Sequence, residues 1–290
     1  MATIPTPPLP SRLNPVPVVD GIAFAEGPIF GRDGALYFVN YLRLGTLGRH
    51  VLGAATTVWA ETNGQANGLK CDAAGRLVVA DFGGKRVTRF DPTTRKFEVL
   101  TDSFGGQPYR GPNDVCLDQA GNIYFSDPTG SSQEEPIGAV YRISMAPDGT
   151  PEGVVRLDDG LAFPNGLAVH LDGRRLYLAE TGTDRLLAYD IDSTGRLTNR
   201  RTAVQFDTPS LDGMCFDEHA RLWIARWVNG SVDVVDVDAD RVLASYPIGD
   251  RVTNLCWGGT SLYVTDAGTG AGSGKVVRLN VGIGGYDPVA

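Results

Sequence analysis

Six segments of the 290-residue chain repeat one pattern, and this repetition constrains the fold more than any other feature. Each segment begins with a polar residue, continues into a short apolar run, turns, and ends with a second apolar run of the type L-Y-x-x-D. The opening residue recurs about every 40–50 positions, the length of a β-propeller blade. The six opening residues are Glu26, Asn67, Asn113, Asn165, Asp212 and Asn254.

Further β-rich stretches lie between the repeats and supply the outer strands of four-stranded blades. The pattern therefore predicts an all-β fold, a six-bladed β-propeller that forms a single domain over residues 16–290. Residues 1–15 are rich in proline and are predicted to form an extended arm. The sixth repeat has only three strands. Because a closed ring needs a fourth, we expect the segment Pro17–Asp20 to pair with the last blade.

Composition and charge limit the classes of partner that the protein is expected to bind. Lys and Arg number 26 against 34 Asp and Glu, which gives a net charge of −8. A surface of this sign is unfavourable for nucleic acid and for anionic membranes, so we expect a small-molecule partner. The sequence has no apolar run long enough to span a membrane and no apolar targeting stretch near its first residue. We expect a cytoplasmic protein, and a monomer because a closed ring exposes few strand edges.

The opening residues of the repeats predict a metal site. The first strand of each propeller blade runs along the central channel, so these six side chains should ring one mouth of it. Glu26 and Asp212 are acids and the other four are amides, a set of oxygen donors that suits calcium. A polar residue opening a strand is also a common turn former. For Asn67 and Asn254 a structural role and a role facing the substrate remain equally open.

Five motifs resemble one known family. They are F-A-E-G-P at 24–28, R-G-P-N-D at 110–114, F-S-D-P at 125–128, F-P-N-G-L-A at 163–168 and L-D-G-M at 211–214. Together they are similar to the family of senescence marker protein 30, gluconolactonase and luciferin-regenerating enzyme. The resemblance implies a six-bladed propeller with one divalent metal in its channel. It also implies an enzyme, because most members are lactonases and some hydrolyse organophosphates.

The resemblance also implies roles for individual residues. Glu26, Asn165 and Asp212 match the family's metal ligands. Asn113 matches an asparagine that binds either the metal or the substrate. Asp114 matches an acid behind the ligands and is a second catalytic candidate.

Two further residues match the family less closely. Arg110 looks like an arginine that holds sugar hydroxyls in some members, although it stands three residues before Asn113 instead of two. A surface arginine is the alternative. Asp127 matches a region in which some lactonases carry an acid, and a turn-capping role is equally compatible with its position.

The expected reaction is metal-dependent opening of a small, sugar-derived lactone to its hydroxy acid. The cation polarises the carbonyl, and Asp212 either takes a proton from water or attacks as a nucleophile. Calcium is favoured, with zinc, manganese and magnesium as alternatives. A phosphotriester hydrolase, a non-hydrolytic lactone-processing enzyme and a non-catalytic binding propeller remain open as other functions.

The lining of the channel mouth separates the first two functions. A polar lining favours a hydroxylated sugar, and the candidates for it are Arg110, Tyr109, Asn67 and Asn113. An apolar lining favours a hydrophobic ester or phosphotriester, and the candidates for it are Phe163, Trp227 and Tyr41.

Overall fold

The structure is a computed structural model that describes residues 6–208 and 210–290. Nearly all of its regular secondary structure is β-strand, and a single turn of 3₁₀ helix covers Thr181–Thr183. Among the residues described, no helix has the length and apolar character that crossing a bilayer would require. The first five residues of the predicted arm lie outside the described residues.

The first three repeats contain fourteen strands. The first repeat comprises β1 (Val16–Phe30), β2 (Leu36–Tyr41), β3 (Thr46–His50) and β4 (Thr57–Glu61). The second comprises β5 (Ala66–Cys71), β6 (Leu77–Asp81), β7 (Arg86–Phe90) and β8 (Phe97–Thr101). A small hairpin follows, with β9 (Ser103–Phe104) and β10 (Gln107–Pro108). The third comprises β11 (Val115–Leu117), β12 (Ile123–Asp127), β13 (Gly138–Met145) and β14 (Pro151–Leu161).

The last three repeats contain eleven strands. The fourth comprises β15 (Pro164–Val169), β16 (Arg175–Glu180), β17 (Arg185–Ile191) and β18 (Leu197–Gln205). The fifth comprises β19 (Leu211–Phe216), β20 (Arg221–Arg226), β21 (Ser231–Asp236) and β22 (Arg241–Pro247). The sixth has only β23 (Val252–Gly258), β24 (Ser261–Asp266) and β25 (Gly274–Asn280).

Repeats two to five each form a four-stranded antiparallel sheet in chain order, β9 and β10 pair with each other, and the strands of the first and sixth repeats form one seven-stranded sheet. The long strand β1 joins the two halves of that sheet. Its first part pairs with β25, and its second part pairs with β2. The sheet therefore divides into two four-stranded units that share β1. Pro17 pairs with Val277 and Val19 with Val276, so the expected closure by the N-terminal segment is confirmed.

The first strands of the repeats surround a central channel. They contact one another in a closed cycle from β1 through β5, β11, β15, β19 and β23 back to β1. The predicted all-β propeller is thus confirmed, and the opening residues of the repeats lie close to the axis. Apolar side chains fill the space between neighbouring sheets. Trp223, for example, is fully buried, stacks on Tyr246 and meets Trp257 edge-on.

The acid that ends the L-Y-x-x-D motif fixes the loop in front of the first strand. Asp127 accepts hydrogen bonds from the backbone N–H groups of Gly111 (2.6 Å) and Arg110 (3.0 Å), just before Asn113. The same bond recurs in three other repeats, from Gln65 to Asp81, from Ala162 to Glu180 and from Arg251 to Asp266. A carboxylate at this position therefore orients the residues that open the repeat.

The chain ends pack on the same side of the ring. In the arm, Leu13 is buried, and the carbonyl of Pro10 accepts a 2.6 Å hydrogen bond from the Tyr246 hydroxyl. The division into an arm and one domain stays a prediction. The C-terminal tail crosses one end of the channel, where Tyr286 N–H donates to the Phe216 carbonyl and Arg32 pairs with Asp287. Tail residues 284–289 help to line a channel cavity of about 690 Å³.

Candidate active site

A second cavity, of about 350 Å³, opens at the other end of the channel, where the first strands begin. We call it the mouth cavity. Five of the six predicted ring residues line it, namely Glu26, Asn67, Asn113, Asn165 and Asp212. The repeat pattern therefore brings these side chains from five different repeats to one place.

Asn254, the sixth predicted ring residue, lies deeper in the channel. Its amide donates a 3.2 Å hydrogen bond to Asp114 Oδ2, and its own backbone N–H donates to the Thr265 hydroxyl. Asp114 has the matching backbone bond, to the Ser126 hydroxyl. Asn254 is thus the counterpart of Asp114 and not of Asn113. The prediction that Asn254 is the ring residue of the sixth repeat was wrong by one position. The sixth repeat opens with Thr253-Asn254 where the third opens with Asn113-Asp114, so Thr253 is the counterpart of Asn113.

The glycines that follow the ring residues allow the first strands to approach the axis. A Cβ on Gly166 would lie 2.2 Å from the Asp212 carbonyl oxygen, and one on Gly213 would lie 2.1 Å from Asn254 Cγ. Both distances are shorter than any real Cβ contact. The N-G and D-G pairs at these positions therefore reflect close packing of strands around the channel.

We call Glu26, Asn113, Asn165 and Asp212 the floor of the mouth cavity. Its two buried carboxylates are electrostatically unfavourable without a compensating charge. Glu26 and Asp212 are 3% and 7% exposed. Burial, together with the charge of Asp114, raises the pKa of Glu26 to about 8. Burial and then the charges of Glu26 and Asp114 raise the pKa of Asp212 well above its ordinary value. Such a group needs either protons or a cation to be stable.

The amide oxygens of the floor favour a cation. Asn113 Oδ1 and Asn165 Oδ1 are buried and have no hydrogen-bond partner among the described residues. Two unpartnered carbonyl oxygens beside two carboxylates form the donor set that a hard divalent cation prefers. Within residues 6–208 and 210–290, no three His, Cys, Asp or Glu side chains converge as a metal site. A cation here would therefore need the asparagine oxygens.

Asp114 lies below the mouth cavity and does not line it. Its Oδ1 accepts the backbone N–H of Val115 at 2.8 Å, and its Oδ2 accepts the amide of Asn254. Burial raises its pKa, and the positive charge of Lys70 partly offsets this effect. Both oxygens are thus engaged beneath the floor, and the catalytic role of Asp114 stays a prediction.

Lys70 is a residue of the channel that sequence reasoning missed. It lies on β5, two positions after Gly68, and a Cβ on Gly68 would lie 2.4 Å from Asp114 Oδ1. Lys70 also lines the 690 Å³ channel cavity that the C-terminal tail helps to form. The corresponding positions in other repeats hold Cys116, Ala168, Cys215 and Cys256. A lone lysine at a position filled by uncharged residues in the other repeats was the available signal.

Two residues that the sequence predicted as substrate contacts, Tyr109 and Arg110, do not line the mouth cavity. Tyr109 is 2% exposed, packs between Phe125 and Tyr141, and shares a 2.8 Å hydrogen bond with Thr101. It belongs to the core, because the loop before β11 folds inward there. Arg110 is exposed and is not among the residues that line the mouth cavity.

The roles of Asp127 and Asn67 differ. Asp127 caps the loop before Asn113 through its two backbone hydrogen bonds, which is the turn-capping alternative. Asn67 lines the mouth cavity and is partly exposed, as a residue facing a substrate would be.

Aromatic side chains form the walls of the mouth cavity. They are Phe24, Phe82, Phe163 and Trp227. The predicted apolar candidates Phe163 and Trp227 are among them, whereas Tyr41 is not. Phe82 and Trp227 each follow the last residue of a second strand, so this position of the repeat carried a signal for the wall.

A family model described as the SMP-30/Gluconolactonase/LRE-like region matches residues 24–268. The chain belongs to this family. The resemblance carried by the five sequence motifs is thereby confirmed. The matched residues include all the positions that line the mouth cavity.

Three similar proteins place the chain within the SMP-30/gluconolactonase family. A gluconolactonase from Zymomonas mobilis is 25% identical over 287 residues, covering 87% of this chain and 79% of the relative. Diisopropyl-fluorophosphatase from Loligo vulgaris is 32% identical over 250 residues, covering 76% and 77%. The solved structure of a gluconolactonase from Xanthomonas campestris superposes with a TM-score of 0.78 at 25% identity, covering 93% and 90%.

Proposed function

We propose that the protein is a metal-dependent lactonase that opens a small lactone to its hydroxy acid. The observation that carries the proposal is the floor of the mouth cavity, where two buried carboxylates meet two amide oxygens that have no partner in the described part of the chain. The relatives named gluconolactonase support the lactone as the substrate class.

Four residues would hold the cation, namely Glu26, Asn113, Asn165 and Asp212. Their oxygen-only chemistry favours calcium, with magnesium, manganese and zinc as alternatives to test. A bound divalent cation supplies Lewis-acid polarisation of the lactone carbonyl.

The protein's own groups complete the reaction. Asp212 lines the cavity, so one of its carboxylate oxygens can accept a proton from water as the general base. The amide of Asn254 holds the Asp114 carboxylate beneath the floor, which keeps that negative charge at a constant distance from Glu26 and Asp212. The aromatic walls limit the water around the lactone.

The test uses the full chain, stripped with a chelator and then supplied with calcium, magnesium, manganese or zinc. Acid release from a panel of sugar and aliphatic lactones is measured in each case. We expect activity to disappear on stripping and to return with a divalent cation. Undiminished activity in the stripped protein would contradict the metal-dependent mechanism, and circular dichroism would show that the stripped protein remains folded.

Hydrolysis of phosphotriesters is a second candidate function. The aromatic walls of the mouth cavity favour it, and so does the similarity to diisopropyl-fluorophosphatase. The same protein samples assayed against a phosphotriester and a dialkyl fluorophosphate distinguish the two functions. A kcat/KM for the triester that exceeds the value for every lactone would favour this candidate.

The monomeric state and the cytoplasmic location remain predictions from the sequence.

A further inference from the structure

We infer that the lactone taken by this site carries an apolar substituent, alkyl or aryl, instead of the hydroxyl groups of a sugar. The inference rests on the proposed lactonase function and names its substrate class. It replaces the sugar-derived lactone predicted from the sequence, because two of the polar residues that supported a sugar, Tyr109 and Arg110, do not line the mouth cavity.

The walls of the mouth cavity present aromatic surface from four repeats. Phe24 lies on β1, Phe82 follows β6, Phe163 precedes β15 and Trp227 follows β20. Because the walls come from separate sheets, an apolar group that extends upward from the floor meets aromatic side chains from several directions. Such surfaces bind apolar groups by removing them from water.

The polar groups of the same walls already have partners. The Thr181 hydroxyl donates to the Leu211 carbonyl at 2.5 Å. The Ser210 hydroxyl donates to Asn229 Oδ1 at 2.9 Å and accepts the Val228 N–H at 3.0 Å. Above the floor, the side chains of Gln65 and Asn67 are the remaining polar contacts.

A sugar lactone would therefore be poorly satisfied here. No Lys, Arg or His side chain of the described residues lines the mouth cavity. A hydroxyl group buried without a hydrogen-bond partner costs about 1–3 kcal/mol, and a sugar lactone carries several. An apolar substituent has no such requirement.

Phe163 is held in a backbone conformation that a phenylalanine rarely adopts. Its φ is +51°, in the left-handed region, where a bulky side chain costs about 1–3 kcal/mol. Three contacts enforce this conformation. Its N–H donates to the Ser131 hydroxyl, its carbonyl accepts the Thr181 N–H, and the preceding N–H of Ala162 donates to Glu180. These contacts hold the ring of Phe163 at the wall of the mouth cavity.

Trp227 is also held in place. Its ring lies 5.8 Å from that of Phe24 between centroids, and the guanidinium of Arg251 lies 5.4 Å from the centroid of its ring. Its backbone N–H donates to the Ser210 carbonyl at 2.8 Å. A fixed indole loses little conformational entropy when an apolar group packs against it.

The first experiment measures kcat/KM for a series of γ-lactones whose n-alkyl substituent grows from none to hexyl. D-glucono-δ-lactone is the polar comparison, and all assays use the calcium-loaded full chain. Burial of each methylene should raise kcat/KM by about three- to fourfold until the cavity is filled. A preference for the gluconolactone, or no dependence on chain length, would overturn the inference.

Variants then test the wall itself. Trp227→Ala should flatten the dependence on chain length, so that the ratio of the hexyl to the unsubstituted lactone falls at least tenfold. Val228→Ala is the matched control, because Val228 is the next residue and is 62% exposed. It should leave the ratio unchanged. An unchanged ratio in Trp227→Ala would overturn the role assigned to this wall.

A binding measurement separates this inference from the proposed function. If no metal restores hydrolysis of any lactone, the proposed lactonase function fails. Calorimetric titration of the same alkyl lactones still reports on the cavity. Saturable binding that tightens with chain length and weakens in Trp227→Ala supports an apolar ligand, whereas the absence of binding across the series overturns it.

Discussion

At the scale of single residues, neighbours in the sequence have separate roles at the channel floor. Asn113 leaves its amide oxygen without a partner at the mouth cavity, whereas both carboxylate oxygens of the next residue, Asp114, are engaged below it. One residue is thus available to a ligand and the other is not. The distinction depends on hydrogen bonds to other repeats, which a motif such as N-D does not specify.

The general base assigned to Asp212 is testable by a change that keeps its shape. Asp212→Asn retains an oxygen donor but cannot accept the proton, so kcat should fall by about 10²–10⁴. Steady-state lactone hydrolysis measures this fall, and thermal unfolding shows that the variant is folded. Asp207→Asn is the control, because Asp207 is exposed. Activity within twofold of the parent protein in Asp212→Asn would refute the assignment.

Lys70 should weaken cation binding and stabilise the protein when it is free of metal. With a cation bound, Glu26, Asp114 and Asp212 would be ionised and carry three negative charges, of which a divalent cation neutralises two and the ammonium of Lys70 balances the third. Lys70→Met removes that balance while keeping an unbranched side chain. The remaining excess of negative charge should raise the calcium affinity by about tenfold and destabilise the stripped protein.

Calorimetric titration with calcium, and thermal unfolding with and without the cation, measure the two effects of Lys70→Met. Lys96→Met is the matched control, since Lys96 is exposed and lies on a hairpin at the rim. A calcium affinity and a stripped-state melting temperature equal to those of the control would show that Lys70 does not balance the floor.

At the scale of elements, the repeat pattern predicted strands and blade order well, because alternating apolar runs and glycine turns are local signals. The closure by Pro17–Asp20 was predictable for the same reason, since the sixth repeat visibly lacked a strand. The register of β23 was not predictable from the sequence. Its Thr-Asn pair could align with the other repeats in two ways, and the bond from the Asn254 N–H to the Thr265 hydroxyl, matching that from the Asp114 N–H to the Ser126 hydroxyl, distinguishes them.

The aromatic walls were only partly predictable. They come from residues that lie just before or after strands, where the direction of a side chain depends on loop conformation. The left-handed backbone at Phe163 is one such case, because it depends on a hydroxyl from Ser131 in another repeat. Tyr109 illustrates the opposite error, since a polar aromatic residue next to the R-G-P-N-D motif belongs to the core.

The capping acids should make stability depend on pH. Burial favours the neutral form of Asp266, but hydrogen bonds from the backbone N–H groups of Arg251, Gly268 and Asp250 outweigh this effect, and the pKa is lowered from 3.8. A lowered pKa means that the stabilisation is fully present above the ordinary pKa. It is lost as the pH falls through the lower value in the folded protein.

Asp266→Asn should therefore lose about 2 kcal/mol of unfolding free energy at pH 7, a typical value for hydrogen bonds to a charged group. The deficit should shrink as the pH falls towards 3. Urea unfolding at a series of pH values measures it, with the exposed Asp20→Asn as the control. A deficit that stays constant over this pH range would contradict the role of the ionised carboxylate.

At the scale of the whole molecule, the ring is held closed by one shared strand. Val19 is 4% exposed where β1 pairs with β25, whereas Val16 on the same strand is 44% exposed. A charge at position 19 would be buried between the first and last repeats. We call this pairing of β1 with β25 the joint. A single substitution there should affect the entire ring.

Val19→Asp should lower the unfolding free energy by about 3 kcal/mol or more, because it leaves an unpaired charge in the core. Val16→Asp places the same charge on the same strand at an exposed position and should change it by less than about 0.5 kcal/mol. Thermal unfolding followed by circular dichroism compares the two. Equal melting temperatures for both variants would show that the joint does not carry the closure.

The shared strand also determines when the ring can form during synthesis. Of the strands in the ring, β1 leaves the ribosome before all the others and its partner β25 leaves after them. Until then the nascent chain has an unpaired strand edge at each end of an open arc, and such edges readily pair with other chains. Contacts between residues so distant in sequence also form slowly. Chains that terminate before β25 should therefore be the main source of aggregates when this protein is expressed.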